Sequence, residues 1–341
     1  HPVIITGTGI IWSKASSELQ EFVELTGIPF FTTPQGRGVI PEDHPMALLA
    51  ARSLAFREAD VVLSIGTRPN WVISHFLPPR FSEGVKLIAV NTNPDDIGHV
   101  KPAEIGIVGD AKAVLKQLTE EAQGKLSPKK VASWVDKLRQ RDAASQERAE
   151  STLNSDQVPI HPLRVCKEIR DFLDRDAIFV VDGHETLNFA RQSIRTYVPG
   201  HRLNSGSFGC MGVGLPLGIG AKAAKPDKQV VVFHGDGSFG INAINLDTAA
   251  RHNLPVITVI SNNSGWAGGV EGDVIPGRDL APSTRYDKLA EALGCYGEYV
   301  DKPEDIRPAL ERAATSGKPA VINVITDPYA LSHTMDFQPY E

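Results

Sequence analysis

The first third of the chain alternates short, nearly continuous apolar runs with longer stretches whose apolar positions recur at helical spacing. Residues 3–6, 28–32, 60–65 and 85–90 form the runs, and 16–25 and 47–56 carry the helical pattern. A short apolar run reads as a strand covered on both faces, and the 3.6-residue period as a helix with one covered stripe. Strands alternating with helices predict βαβ units and a parallel sheet. From about 125 to 157 the chain turns charged and polar. Trp134 and Leu138 form its apolar pair, and 143–156 has little to bury. This predicts one helix followed by a linker. A second alternation starts near His161, with strands over 177–181, 230–233, 255–260 and 319–325. Helices are expected over 163–173, 212–224, 241–251, 286–293 and 304–315. The expected fold class is α/β, with two doubly wound parallel-sheet domains: a Rossmann-like central one over 1–145 and a second over 161–341, joined by a linker at 146–160.

Composition narrows the function classes. At 341 residues the chain can bury two cores of ordinary size. A net charge of -6 leaves no basic footprint for nucleic acid, and no apolar run approaches the ~20 residues that span a bilayer. Neither a nucleic acid nor a membrane is expected as partner. Cys166, Cys210 and Cys295 are odd in number, far apart and without a CxxC pair. They argue for a reducing compartment, hence a cytoplasmic location, and against a disulfide framework or a zinc site. The chain opens at His1, without Met, directly before Val3-Ile4-Ile5, so it is expected to be a part of a larger protein.

Chemistry concentrates in Val230-Val-Val-Phe-His-Gly-Asp-Gly-Ser-Phe239 and in Asn262-Asn263. Asp236 follows the end of one expected strand, and the asparagines follow the end of the next. Both spots face the crevice at the carboxyl ends of a parallel sheet, where ligands bind. A carboxylate, an amide oxygen and a backbone carbonyl are hard ligands suited to Mg2+. Gly235 and Gly237 let the backbone approach a diphosphate, to which the N–H groups near Ser238 and Phe239 can donate. Gly-Asp-Gly alone is more often a plain turn; the asparagine pair in the matching position makes the ligand site the better reading.

Gly235-Asp236-Gly237 through Asn262-Asn263 resembles the metal–diphosphate signature of thiamine diphosphate-dependent enzymes. Asn204-Ser-Gly-Ser-Phe-Gly-Cys-Met-Gly-Val-Gly-Leu-Pro-Leu-Gly218 is similar to the pyrimidine-side segment of the pyruvate oxidase and acetolactate synthase branch. Within that branch, Asp182-Gly-His-Glu-Thr-Leu-Asn-Phe-Ala-Arg191, Gly66-Thr-Arg-Pro-Asn-Trp71 and Met335-Asp-Phe-Gln-Pro339 resemble 2-hydroxyacyl-CoA lyase and oxalyl-CoA decarboxylase. The resemblance implies thiamine diphosphate and Mg2+ as cofactors, with Asp236, Asn263 and the Gly265 carbonyl as metal ligands. Met211 would be the apolar wedge that bends the cofactor, and the Gly209 carbonyl would accept from its aminopyrimidine. It also implies an N-terminal pyrimidine domain that this chain does not include, and an active site shared between the subunits of a homodimer or homotetramer.

Glu271, in a glycine-rich loop leaving the metal site, is the candidate base for a substrate 2-hydroxyl; a solvated loop carboxylate is its plain alternative. His184 and Glu185 follow the strand over 177–181 and either orient substrate or cap the next helix. The central domain resembles one that holds FAD or ADP in this family. Gly66, Thr67, Arg68, Asn91 and Asp110 are the candidate ADP contacts, against a purely structural relic. Gly7-Thr8-Gly9 is only a fragment of a GxGxxG motif. The expected function is cleavage of a 2-hydroxyacyl-CoA to formyl-CoA and an aldehyde or ketone. The alternatives are oxalyl-CoA decarboxylation, an acetolactate synthase-like condensation, and a non-catalytic nucleotide-binding regulatory module.

Overall fold

The apolar runs of the first third pair as parallel strands in the computed structural model, which describes residues 1–266, 275–282 and 284–332. They are β1 (Pro2–Thr6), β2 (Phe30–Thr32), β3 (Val61–Ile65), β4 (Lys86–Asn91) and β5 (Ile105–Val108), in the order β2-β1-β3-β4-β5. Alternate residues of each strand serve opposite faces, as the pleat requires. Val3, Ile5, Val62 and Leu87 join a core with Phe56 and Phe81. Ile4, Leu63, Ile65 and Val90 join another with the helices Ser16–Thr26 and Ala111–Ala122. Each fully buried Ile, Leu or Phe contributes about 1.5–3 kcal/mol.

This unit comprises His1–Arg148 and the excursion Thr196–Arg202. The excursion is tied in by Glu42, whose buried carboxylate pairs with Arg37 (2.6 Å) and accepts from the Thr196 N–H (2.8 Å).

The second unit comprises Ala149–Arg195 and the chain from Leu203 onward. Its strands are β6 (Ile178–Asp182), β7 (Arg202–Leu203), β8 (Val230–Gly235), β9 (Ile257–Asn262), β10 (Tyr296–Val300) and β11 (Ala320–Ile325), in the order β10-β11-β9-β8-β6-β7. The pairings resolved among β6, β8, β9, β11 and β10 are all parallel. Helices Pro162–Phe172 and Ile306–Thr315 pack on one side of the sheet, and Gly214–Ala224 on the other. The two α/β parallel-sheet domains expected from the pattern are therefore present.

Three details differ from the sequence expectation. Over 146–160 the chain is not a simple linker. The helix Ala132–Leu153 runs into it, and Leu153 and Ile160 are buried in the second unit's core. The single helix expected over 241–251 is two, Asp236–Asn242 and Asn245–Arg251. Strands β5, β7 and β10 were not expected at all. Among the described residues no helix is long and apolar enough to cross a membrane, and the three cysteines are free thiols.

Candidate functional site

β8 ends at Gly235, and the helix Asp236–Asn242 starts at once, so Asp236 stands at the carboxyl edge of the sheet, 1% exposed. Its Oδ1 accepts from the Gly237 N–H (2.8 Å) and its Oδ2 from the Gly265 N–H (3.1 Å). Burial pushes its carboxyl up to about 6, against the pull of those amides. β9 ends next door at Asn262, and the chain then turns through Ser264, which holds a left-handed φ of 60°. The turn brings the Asn263 side-chain oxygen 3.2 Å from Asp236 Oδ1 and 3.0 Å from the Gly265 carbonyl oxygen. Two acceptors and the amide end of Asn263 thus converge. Either the amide turns its NH2 toward the other two, or a hard cation sits among all three. Oxygens at the corners of an octahedron around Mg2+ lie about 3.0 Å apart, so the donor set and its spacing fit that ion. Among the described residues no three His, Cys, Asp or Glu side chains form an alternative cluster.

An open cleft lies over this triad, lined by Gly235–Ser238, Asn263, Gly265 and Trp266 on one side and by Gly183–Thr186 on the other. Gly183, with φ 109°, precedes the helix His184–Ser193 and could not carry a side chain: a Cβ there would lie 2.7 Å from Thr186 Oγ1. Two helix N-termini therefore open onto one cleft, which suits an anion. Gly237 is needed for a different contact than expected. A Cβ on it would sit 2.8 Å from the Trp266 ring, so the indole lies against the bare backbone. Glu185, Asp236 and Asp327 bring carboxylates to the lining, and none of its described residues is Lys or Arg.

The remaining candidates separate. Met211 lines the cleft and is 40% exposed. Gly209 adopts φ 67° at the end of the turn Gly206–Phe208, which suits a residue presenting its backbone. Ser238 is buried, with its one hydroxyl proton shared between the carbonyls of Asp182 (3.1 Å) and Gly235 (3.0 Å); the Phe239 ring is core, edge-on to His234 and Tyr286. Both can offer only backbone N–H groups. His184 and Glu185 pair with each other (3.1 Å), and Glu185 also accepts from the Ser332 N–H (2.8 Å). The Glu185 hydrogen bond raises the His184 pKa, while His184 and Ser332 hold Glu185 low against its burial. Glu271 and Met335–Pro339 lie outside the described residues.

Sequence reasoning missed a supporting group. Asp182 is buried at the end of β6 and accepts from the Gly214 N–H (2.7 Å); burial still raises its pKa. Beside it, burial drives His234 down to about 3, so it is neutral. The signal was present: a histidine and an aspartate closing otherwise apolar strands need partners.

The candidate nucleotide residues sit in the first unit. Gly7, Gly9 and Gly66 close on one another: a Cβ on Gly9 would lie 2.5 Å from Gly66 Cα, and one on Gly7 would lie 2.8 Å from Gly66 O. Thr67 is buried and packs against Gly7. Arg68 pairs with Asp96 at 3.3 Å. Asn91 accepts from the Asn93 N–H, and Asp110 caps Ala111–Ala122 through the N–H groups of Lys112 and Ala113. Each has a local structural duty.

Fold and site together give an α/β chain of two parallel-sheet units with an oxygen-lined cleft at the carboxyl edge of the second sheet. Comparison with known families agrees: residues 1–118 match the thiamine pyrophosphate enzyme central domain and residues 183–324 the C-terminal TPP binding domain. The chain belongs to the thiamine pyrophosphate enzyme family. It is 37% identical over 339 residues to acetolactate synthase large subunit IlvG of Mycobacterium tuberculosis, covering 96% of this chain and 60% of that one. It is 37% identical over 346 residues to a 2-hydroxyacyl-CoA lyase of Arabidopsis thaliana, covering 97% and 60%. Against oxalyl-CoA decarboxylase of Escherichia coli it is 34% identical over 338 residues, covering 97% and 59%. The chain spans about three fifths of the length of these relatives.

Proposed function

We propose that the chain holds thiamine diphosphate and Mg2+ and that its parent protein cleaves a 2-hydroxyacyl-CoA into formyl-CoA and an aldehyde or ketone. The Asn263 amide end, 3.2 Å from Asp236 Oδ1 and 3.0 Å from the Gly265 carbonyl oxygen, carries the cofactor part of this reading. When bound, thiamine diphosphate supplies the electron sink that lets a carbon–carbon bond break. The residues do the rest. Asp236, Asn263 and the Gly265 carbonyl would hold the metal, and the N–H groups of Ser238 and Phe239 and of the turn at Gly183 would receive the diphosphate. Met211, which lines the cleft, would prop the cofactor. Glu271 takes the proton of the substrate 2-hydroxyl as its O–H electron pair becomes the carbonyl bond of the departing aldehyde or ketone.

Similarity to a lyase and a decarboxylase named for acyl-CoA substrates supports the CoA ester. The acetolactate synthase relatives, equally similar, keep a condensing reaction as the second reading. Phe208, Met211, Ile241 and Ile244 expose apolar surface around the Met211 segment. They are the face by which we expect a second subunit to complete the site in a homodimer or homotetramer. ADP stays outside the proposal, because Asn91, Asp110 and the three glycines already serve local structure.

The test is product identity. The intact protein with thiamine diphosphate and Mg2+ is offered a 2-hydroxyacyl-CoA, oxalyl-CoA and pyruvate in turn. Formyl-CoA with an aldehyde or ketone is the expected result. Carbon dioxide from oxalyl-CoA alone, or acetolactate from pyruvate alone, would replace the lyase by one of the other two.

A further inference from the structure

Asn262 and Asn263 are adjacent in sequence but serve opposite directions. Asn263 faces the cleft; Asn262 is 2% exposed and turned into the sheet. Its Nδ2 donates to Asn323 Oδ1 (3.0 Å), which leaves its Oδ1 to accept from the Ser264 N–H (3.2 Å). Asn323 lies in the middle of β11, fully buried in an otherwise apolar run. Its own orientation is forced. Nδ2 has only acceptors before it, the Thr284 carbonyl (3.1 Å) and Asp287 Oδ1 (3.5 Å), so Oδ1 must face Asn262. Asp287, 1% exposed, is gripped by Arg285 through two bonds of 2.9 and 2.6 Å, and the Arg285 guanidinium rests on the Tyr299 ring.

Donors therefore point one way from the N–H of Ser264 through Asn262 and Asn323 to Asp287, where the carboxylate, gripped from the other side by the half-exposed Arg285, ends the series as the common acceptor. That N–H lies inside the turn that presents Asn263 and the Gly265 carbonyl to Asp236. A buried amide pair with fixed polarity costs free energy unless every partner is met. In this network the requirement sets the direction of the turn.

We propose that Arg285, Asp287, Asn323 and Asn262 form a positioning relay that fixes the turn 263–265 and so sets the affinity of the site for a divalent cation. The inference rests on the reading of Asp236, Asn263 and Gly265 as a metal site. Partners that orient metal ligands are worth roughly 10–100-fold in affinity.

The experiment uses the intact protein with thiamine diphosphate and reads Mn2+ binding by electron paramagnetic resonance, together with the melting temperature. Asp236→Ala is the control: if it leaves Mn2+ affinity intact, the metal-site reading fails, whatever the relay does. With that control abolishing binding, Asn323→Leu should weaken Mn2+ about tenfold or more. Arg285→Met, at the half-exposed end, should weaken it several-fold in a protein that still melts cooperatively above the assay temperature, and Arg285→Lys should restore part of the loss. Should Asn323→Leu fail to fold, Arg285→Met alone decides. Unchanged Mn2+ affinity in Arg285→Met, or in a folded Asn323→Leu, overturns the relay. A lowered melting temperature with intact affinity shows a merely structural network and overturns it too.

Discussion

Asp236 is where a proton would compete with the proposed metal. Burial raises its carboxyl from 3.8 to about 6. A raised folded pKa means that the metal-free fold binds this proton more tightly than the unfolded chain does. That share of stability is whole below about pH 4 and is lost as pH rises through about 6. A divalent cation displaces the same proton, so its affinity should climb over that window and level off above it. Calorimetric titrations between about pH 5 and 7.5 should release close to one proton per ion at the acid end; a flat profile would remove Asp236 from the ligand set. Gly237→Ala should push the Trp266 ring from its seat, seen as a change in tryptophan emission together with weaker cofactor binding. Unaltered emission would mean that the ring has room to give. At this scale the meeting of Asp236 and Asn263 at the carboxyl edge of the sheet was legible, because Gly-Asp-Gly and Asn-Asn each end a buried strand. Trp266 was not: its partner is a glycine, which leaves no side-chain pattern to read. Nor did the motif reveal that its two asparagines part ways, since only the strand's two-residue alternation separates them.

Among elements, legibility followed burial. The interior strands β1, β3, β4, β6, β8, β9 and β11 read as continuous apolar runs because sheet neighbours and helices cover them. The unexpected strands β5, β7 and β10 are all sheet edges. In β10, Tyr-Gly-Glu-Tyr-Val, only Val300 is buried, so polar positions interrupt the run. The stretch over 146–153 was misread for the opposite reason: with little to bury it looked like linker, yet Ala, Gln, Glu and Arg are good helix formers. Two measurements separate core from cap. Ile322→Ala, at a fully buried position in β11, should cost about 2–5 kcal/mol in chemical denaturation. Asp110→Ala should cost about 1 kcal/mol through loss of its cap and leave metal and cofactor binding unchanged. A loss of ligand affinity in that variant would return Asp110 to a binding role.

For the molecule as a whole, the chemistry of the cleft lining has a thermodynamic consequence. Carboxylates from Glu185, Asp236 and Asp327 surround a place read as taking a diphosphate, and no described Lys or Arg of the lining offsets them. Within the described lining, counter-charge would come from the proposed divalent ion and from backbone dipoles. Ion and cofactor then behave as effectors of one another. By linkage, whatever factor the ion adds to cofactor affinity, the cofactor adds to ion affinity. Neither half of the pair should be retained strongly through dialysis against a chelator, and the loaded state should fill cooperatively, as one unit.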